Sequence, residues 1–178
     1  MAETTDPYEL ALGVLASTPA QVAALLEPLP PEVWTWSPAL GEWSPREVLA
    51  HMLHVETAVI PVRVRQMLDA DGALLARPEP ASESAPPAQV DALLTAWQSA
   101  RAENLAFLRT LTPAQLAHGG AHPTYGRISA REHIIEWAYH DLEHLRQLHA
   151  TLEARLYPAI GGFRALYSPP YPAGEPGR

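Results

Sequence analysis

The sequence contains no cysteine and no lysine. Without cysteine there is no disulfide, no thiolate ligand and no thiol nucleophile. A metal would therefore rest on histidine and carboxylate, and any thiol in the chemistry must arrive with a small molecule. Without lysine there is no Schiff-base chemistry and no phosphate-binding loop of the lysine-containing kind. The 12 basic residues are all arginines, scattered along the chain and outnumbered by 20 acidic ones, and the net charge of −8 argues against a nucleic-acid partner. No apolar run approaches the ~20 residues of a membrane span. The N-terminus, MAETTDPYEL, is polar and acidic rather than signal-like. The expectation is a cytoplasmic protein with no membrane partner.

What remains is 178 residues, 47% of them hydrophobic, which suffices for one compact domain and its core. Asp6-Pro7 is a cap followed by proline at the first helical position. It predicts a helix to about Leu26, bent or interrupted at Thr18-Pro19. Residues Pro28 to Glu42 form a connection carrying Trp34 and Trp36. Ser44-Pro45-Arg46-Glu47 is a capping box, predicting a second helix to about Asp69, bent near Pro61. Steps of 100° put Val48, Met52, Val55, Val59 and Val62 on its inner face, with His51 at the edge and His54 in the polar sector.

Asp71 to Pro87 is proline-rich and reads as a linker. The third helix, about Pro87 to Leu111, buries Val90, Leu94, Trp97, Leu105 and Leu108, with Arg101 and Asn104 also facing inward. A loop from Thr112 to Ile128 precedes a last helix beginning at Ser129. Gly126 to Glu132 echoes Gly41 to Glu47, sharing Gly, Ser, Arg and Glu at the same spacing, so the chain reads as two helical hairpins. Beyond about Tyr157 it is expected to be irregular, with residues 158–178 a mobile tail outside a domain of residues 1–157. Four long amphipathic helices make an all-α four-helix bundle the natural packing. The middle linker, roughly 16 residues at ~3.3 Å each, reaches about 50 Å, enough to cross the bundle lengthwise.

The chemistry concentrates in residues 133–149, HIIEWAYHDLEHLRQLH. His140 and His144 stand one turn apart beside the apolar stripe, a spacing that offers two metal ligands. If the second and fourth helices are neighbours, His51 supplies a third neutral imidazole. That set leaves a position open on zinc and also suits nickel or ferrous iron. A partly buried, hydrogen-bonded histidine pair is the other reading of the same spacing. Asp141 falls inside the stripe and needs a partner; it is a candidate to orient an imidazole. Arg101 is a candidate to grip an anionic cosubstrate or to pair with Asp141 or Glu56. His133 is expected near the surface at the start of its helix, and His54, His118, His122 and His149 in solvent or loops. Trp34, Trp36 and Trp43 either line a pocket mouth or pin the loop.

The stretch Gly41-Glu42-Trp43-Ser44-Pro45-Arg46-Glu47-Val48-Leu49-Ala50-His51, with Glu56 five residues on, resembles the DinB/YfiT-like family. So does His140-Asp141-Leu142-Glu143-His144-Leu145-Arg146-Gln147-Leu148. The likeness spans about residues 7 to 155. It implies an up-down-down-up bundle with a long crossover between the second and third helices, a divalent-metal triad of His51, His140 and His144, and a homodimer. It also implies thiol-dependent S-transfer, joining a low-molecular-weight thiol of the bacillithiol, mycothiol or glutathione kind to an electrophile. Metal-dependent hydrolysis is the alternative, and it calls for a general base, for which Glu56 and Asp141 are the candidates. A stress-related binding protein with a vestigial site is the non-catalytic alternative.

Overall fold

Each of the three cap signals opens a helix. Asp6 accepts the Tyr8 amide at 2.9 Å and starts α1, Pro7–Leu26. A short turn α2, Pro31–Trp34, follows, and Trp34 pins it by donating its indole N–H to the Leu26 carbonyl. Ser44 and Glu47 close a reciprocal box at the head of α3, Pro45–His54, and Ser129 and Glu132 do the same for α7, Ala130–Leu156. Between them lie α4, Ile60–Asp69, α5, Val90–Leu108, and α6, Pro113–Ala117. The computed structural model describes residues 5–77 and 89–171. Most of the expected linker, residues 78–88, and the end of the expected tail, residues 172–178, lie outside these.

Two core clusters give the helix directions. Tyr8, Leu12 and Leu15 pack with Val55, Ile60, Val64, Leu105, Leu108, Ile134 and Trp137. Val22 and Leu26 pack with Val48, Met52, Val90, Leu94, Trp97, Leu145 and Leu148. Low residue numbers of α1 thus meet low numbers of α7 but high numbers of α3–α4 and α5. The order is up-down-down-up, with α3–α4 parallel to α5.

Two prolines shape the interior. Pro19 has no amide for the Leu15 carbonyl four residues earlier. The expected break there does not occur: α1 continues to Leu26, and Arg101 Nη1 donates to the Leu15 oxygen at 2.9 Å. Pro61 likewise cannot bond back to Thr57, and the expected bend takes the form of a π-helical segment, Val55–Val59, between α3 and α4. The wider turn shifts the inner face. Val59 is half-buried and Val62 exposed, contrary to the uniform 100° wheel, while Ile60, Val64 and Met67 are buried in their place.

The loop expected over Thr112 to Ile128 is ordered as α6 and a hairpin of β2, Gly119–His122, and β3, Gly126–Ser129. Strand β1, Ala73–Leu74, joins β2 in parallel. Gly120 is required by close packing: a Cβ there would meet the Leu75 side chain, with Cγ at 2.7 Å. Leu75 is buried and has little room to yield. The chain after α7 forms two short 3₁₀ turns within Tyr157–Leu166, separated by a kink at Gly161 (φ 60°), rather than being wholly irregular, and has no buried residue.

Helix α1 also corrects the reading of hydropathy. This 20-residue helix contains an 18-residue window of mean hydropathy 1.4, enough by length and composition to cross a membrane. In the fold it is a core helix, with Leu15, Val22 and Leu26 wholly buried.

Candidate metal centre

The capping box at Ser44 fixes the start of α3 and hence the face on which His51 stands. Helix α7, packed antiparallel beside it, carries His140 and His144 on successive turns. The Nε2 atom of His140 lies 3.1 Å from Nε2 of His51 and 3.1 Å from Nε2 of His144. The three rings meet through the same type of atom.

Hydrogen bonding among the three cannot explain this approach. Each neutral imidazole carries one N–H. The Nδ1 of His144 lies 2.9 Å from the Gln147 side-chain oxygen, an acceptor that favours the Nδ1–H tautomer and so a lone pair on the Nε2 facing His140. A single proton on His140 Nε2 can serve only one of two neighbours, so lone pairs are left facing each other. A cation resolves the arrangement. Tetrahedral ligation at ~2.0–2.1 Å separates nitrogens by about 3.3 Å, close to the two short distances, and all three ligand atoms lie within 4.8 Å of one another. The three histidines are a potential metal-binding site.

The environment keeps two of the nitrogens free of protons. Burial, then the neighbouring His144, pushes His51 down to about 4, and the same causes, with His51 added, push His140 to about 4. Both offer lone pairs at neutral pH, the form a metal requires. Trp43 borders two of the three histidines, its ring centroid 4.9 Å from that of His51 and 6.2 Å from that of His144, the latter at 15° between planes. Of the three loop tryptophans only this one borders the site. Trp34 pins α2, and Trp36 lies under the Arg155 guanidinium.

The other candidates form a separate cluster in the bundle interior. Arg101 donates to both Glu56 oxygens, with Nη2–Oε2 at 2.6 Å, and to Asp141, with Nη1–Oδ2 at 2.6 Å. Asn104 donates to the Glu56 side chain and to the Glu56 backbone carbonyl within the π segment, each at 2.9 Å. All four residues are buried. Burial opposes the Arg101 charge, but the two carboxylates outweigh it and hold the guanidinium above its ordinary value. Burial pushes Asp141 up, against the pull of Arg101. Glu56 and Asp141, candidates for a general base, thus have their oxygens turned onto Arg101 and Asn104, and Arg101, a candidate for gripping a cosubstrate, is committed to them.

His133 differs from its expected surface position. It is 5% exposed, in the first turn of α7, a helix packed against α1, α4 and α6. Its Nδ1 is 3.4 Å from Glu136 Oε2. Gln147 and Glu136 were not singled out in the sequence. Their signal is positional: one lies three residues after His144, the other four before His140.

A profile of the DinB superfamily matches residues 15–148. No curated protein matches the chain. Among solved structures, YfiT from Bacillus subtilis, described as a probable metal-dependent hydrolase with an unusual four-helix bundle topology, superposes with a TM-score of 0.72 at 20% identity, over 84% of this chain and 88% of that one. TT2238, described as a four-helix bundle protein, gives 0.61 at 23% identity, over 80% of this chain and 98% of that one. With its bundle order, its triad and a profile match that runs from the middle of α1 through α3, α4 and α5 into α7, this chain belongs to the DinB superfamily.

Proposed function

We propose that the chain is a divalent-metal-dependent enzyme whose reaction is hydrolysis. The observation that carries this reading is the convergence of three Nε2 atoms beside Trp43. Such a donor set leaves a coordination position free for water or substrate. A divalent ion bound there supplies Lewis-acid polarisation of a substrate oxygen and lowers the pKa of water. His51 and His140 stay neutral at pH 7, Gln147 favours the Nδ1–H tautomer of His144, and the Trp43 ring walls one side. The description of YfiT as a probable metal-dependent hydrolase supports the hydrolytic reading.

A second reading, thiol-dependent S-transfer, draws support from the Arg101 cluster. Glu56 and Asp141 are both held by Arg101, and hydrolysis asks for a free base. A low-molecular-weight thiol brings its own nucleophile, and a chain without cysteine does not compete for the electrophile.

The test is turnover by the purified chain loaded in turn with zinc, nickel and ferrous iron. It is assayed on ester and amide panels and on electrophiles, with and without added bacillithiol, mycothiol or glutathione. Thiol-independent hydrolysis that disappears on chelation and returns with metal is the expected result. Turnover only with a thiol selects the second reading. No turnover by metal-replete protein in either assay overturns both.

A further inference from the structure

We infer that Glu136 is the carboxylate that orients His140 within the triad, in place of the adjacent Asp141. The inference rests on the metal reading above. A histidine that ligates through Nε2 carries its proton on Nδ1, and that N–H needs an acceptor. His144 has one in Gln147. His140 has none: its Nδ1 is buried and without a hydrogen-bond partner. A buried donor left unpaired costs about 1–3 kcal/mol.

The nearby acids differ in availability. Asp141 and Glu56 are held by Arg101. Glu143 is paired with Arg146. Glu136 stands four residues before His140, where helix geometry brings side chains to within ~5–6 Å at Cβ. Helical side chains lean toward the N-terminus, which tilts the His140 ring toward the turn that carries Glu136. Burial opposes the Glu136 charge, but His133 first, then His140 and Arg63, outweigh it and hold the carboxyl below its ordinary value. The Glu136 carboxylate is therefore ionised at neutral pH.

Glu136 is also loosely held. Its contact with His133 Nδ1 is 3.4 Å, long for a charge-assisted hydrogen bond, and its side chain is 56% exposed. With two oxygens, the Glu136 carboxylate can accept from His140 Nδ1, a donor without a partner, while keeping its long contact with His133 Nδ1, whose Nε2 is itself unpartnered. That bond fixes the His140 ring and raises the basicity of its Nε2. Glu136 is in this sense a positioning residue and touches no reacting atom.

The experiment measures zinc affinity of the full chain by competition with a chromophoric chelator, and the visible absorption of the cobalt-loaded protein. It compares the parent with Glu136→Ala, Glu136→Gln and His133→Phe. Glu136→Ala is expected to bind zinc about 10- to 100-fold more weakly, with unchanged helix signal and shifted cobalt bands. Glu136→Gln, which keeps an acceptor oxygen, recovers part of the loss. His133→Phe keeps the parent's affinity, since it removes only the other partner of the carboxylate. Affinity in Glu136→Ala equal to the parent's overturns the inference, and so does an equal loss in His133→Phe. A parent that binds no metal overturns the proposed function as well, so the two failures are distinct.

Discussion

Arg101→Met is expected to destabilise the protein by about 3–5 kcal/mol, read as a lower urea midpoint with an unchanged slope. The size follows from what the substitution leaves behind. Glu56 and Asp141 remain in an interior that gives them almost no water, each stripped of its cation. The Leu15 carbonyl, already without a helical donor because of Pro19, loses its replacement. Methionine fills much of the space, so the loss reports charge and hydrogen bonding more than cavity. Two controls separate these effects. Replacing Glu56, Arg101 and Asp141 together by apolar residues of similar volume is expected to cost much less than the single change. Lowering the pH is expected to narrow the gap between Arg101→Met and the parent, because carboxylates deprived of the guanidinium take up protons in the folded state. A gap of under about 1 kcal/mol at neutral pH would show instead that water reaches the cluster.

His51→Ala and His140→Ala are each expected to abolish stoichiometric metal binding, measured by elemental analysis of untagged protein, while helix content is preserved. Both side chains are half-buried and neither holds up the core, so loss of metal without loss of fold is the expected pattern. Two ligands on a flexible-ended ion site bind far more weakly than three, and the deleted imidazole has no substitute in the pocket. The pH dependence carries its own sign. In the folded protein His51 and His140 are pushed down to about 4, below the ordinary histidine value of 6.5. Protons therefore compete with metal at these two positions only as the pH falls toward 4, and the midpoint of metal release should lie below 6.5. A midpoint at or above 6.5 would mean that the two imidazoles titrate as if solvated.

The parts legible in the sequence are those set by local chemistry. Asp6-Pro7 and the Ser44 and Ser129 boxes each act within four residues, so their side chains announce the helices they cap. The i, i+4 pair His140–His144 is likewise a local spacing, and His51 joins it because it borders the inner face of α3. The parts that were not legible depend on distant partners. Continuing α1 through Pro19 requires a guanidinium from a residue 86 positions away. The π segment that rotates Val62 out and Ile60 in is held by Asn104, 48 positions from Glu56. β2 is only four residues long and pairs with residues 73–74, a contact no short-range pattern encodes. For the carboxylates one of the two expectations holds: Arg101 pairs with both Glu56 and Asp141, and this turns the Asp141 side chain onto the guanidinium.

The ring of Trp43 neighbours two of the three imidazoles, with centroids 4.9 and 6.2 Å away, whereas Trp97 and Trp137 face the Arg101 guanidinium. This placement makes the centre optically readable. An open-shell ion such as nickel or cobalt bound to the triad quenches an indole beside its ligands, while closed-shell zinc leaves that emission largely intact. The difference between the two titrations, absent in Trp43→Phe, is an intrinsic gauge of occupancy that needs neither dye nor substrate.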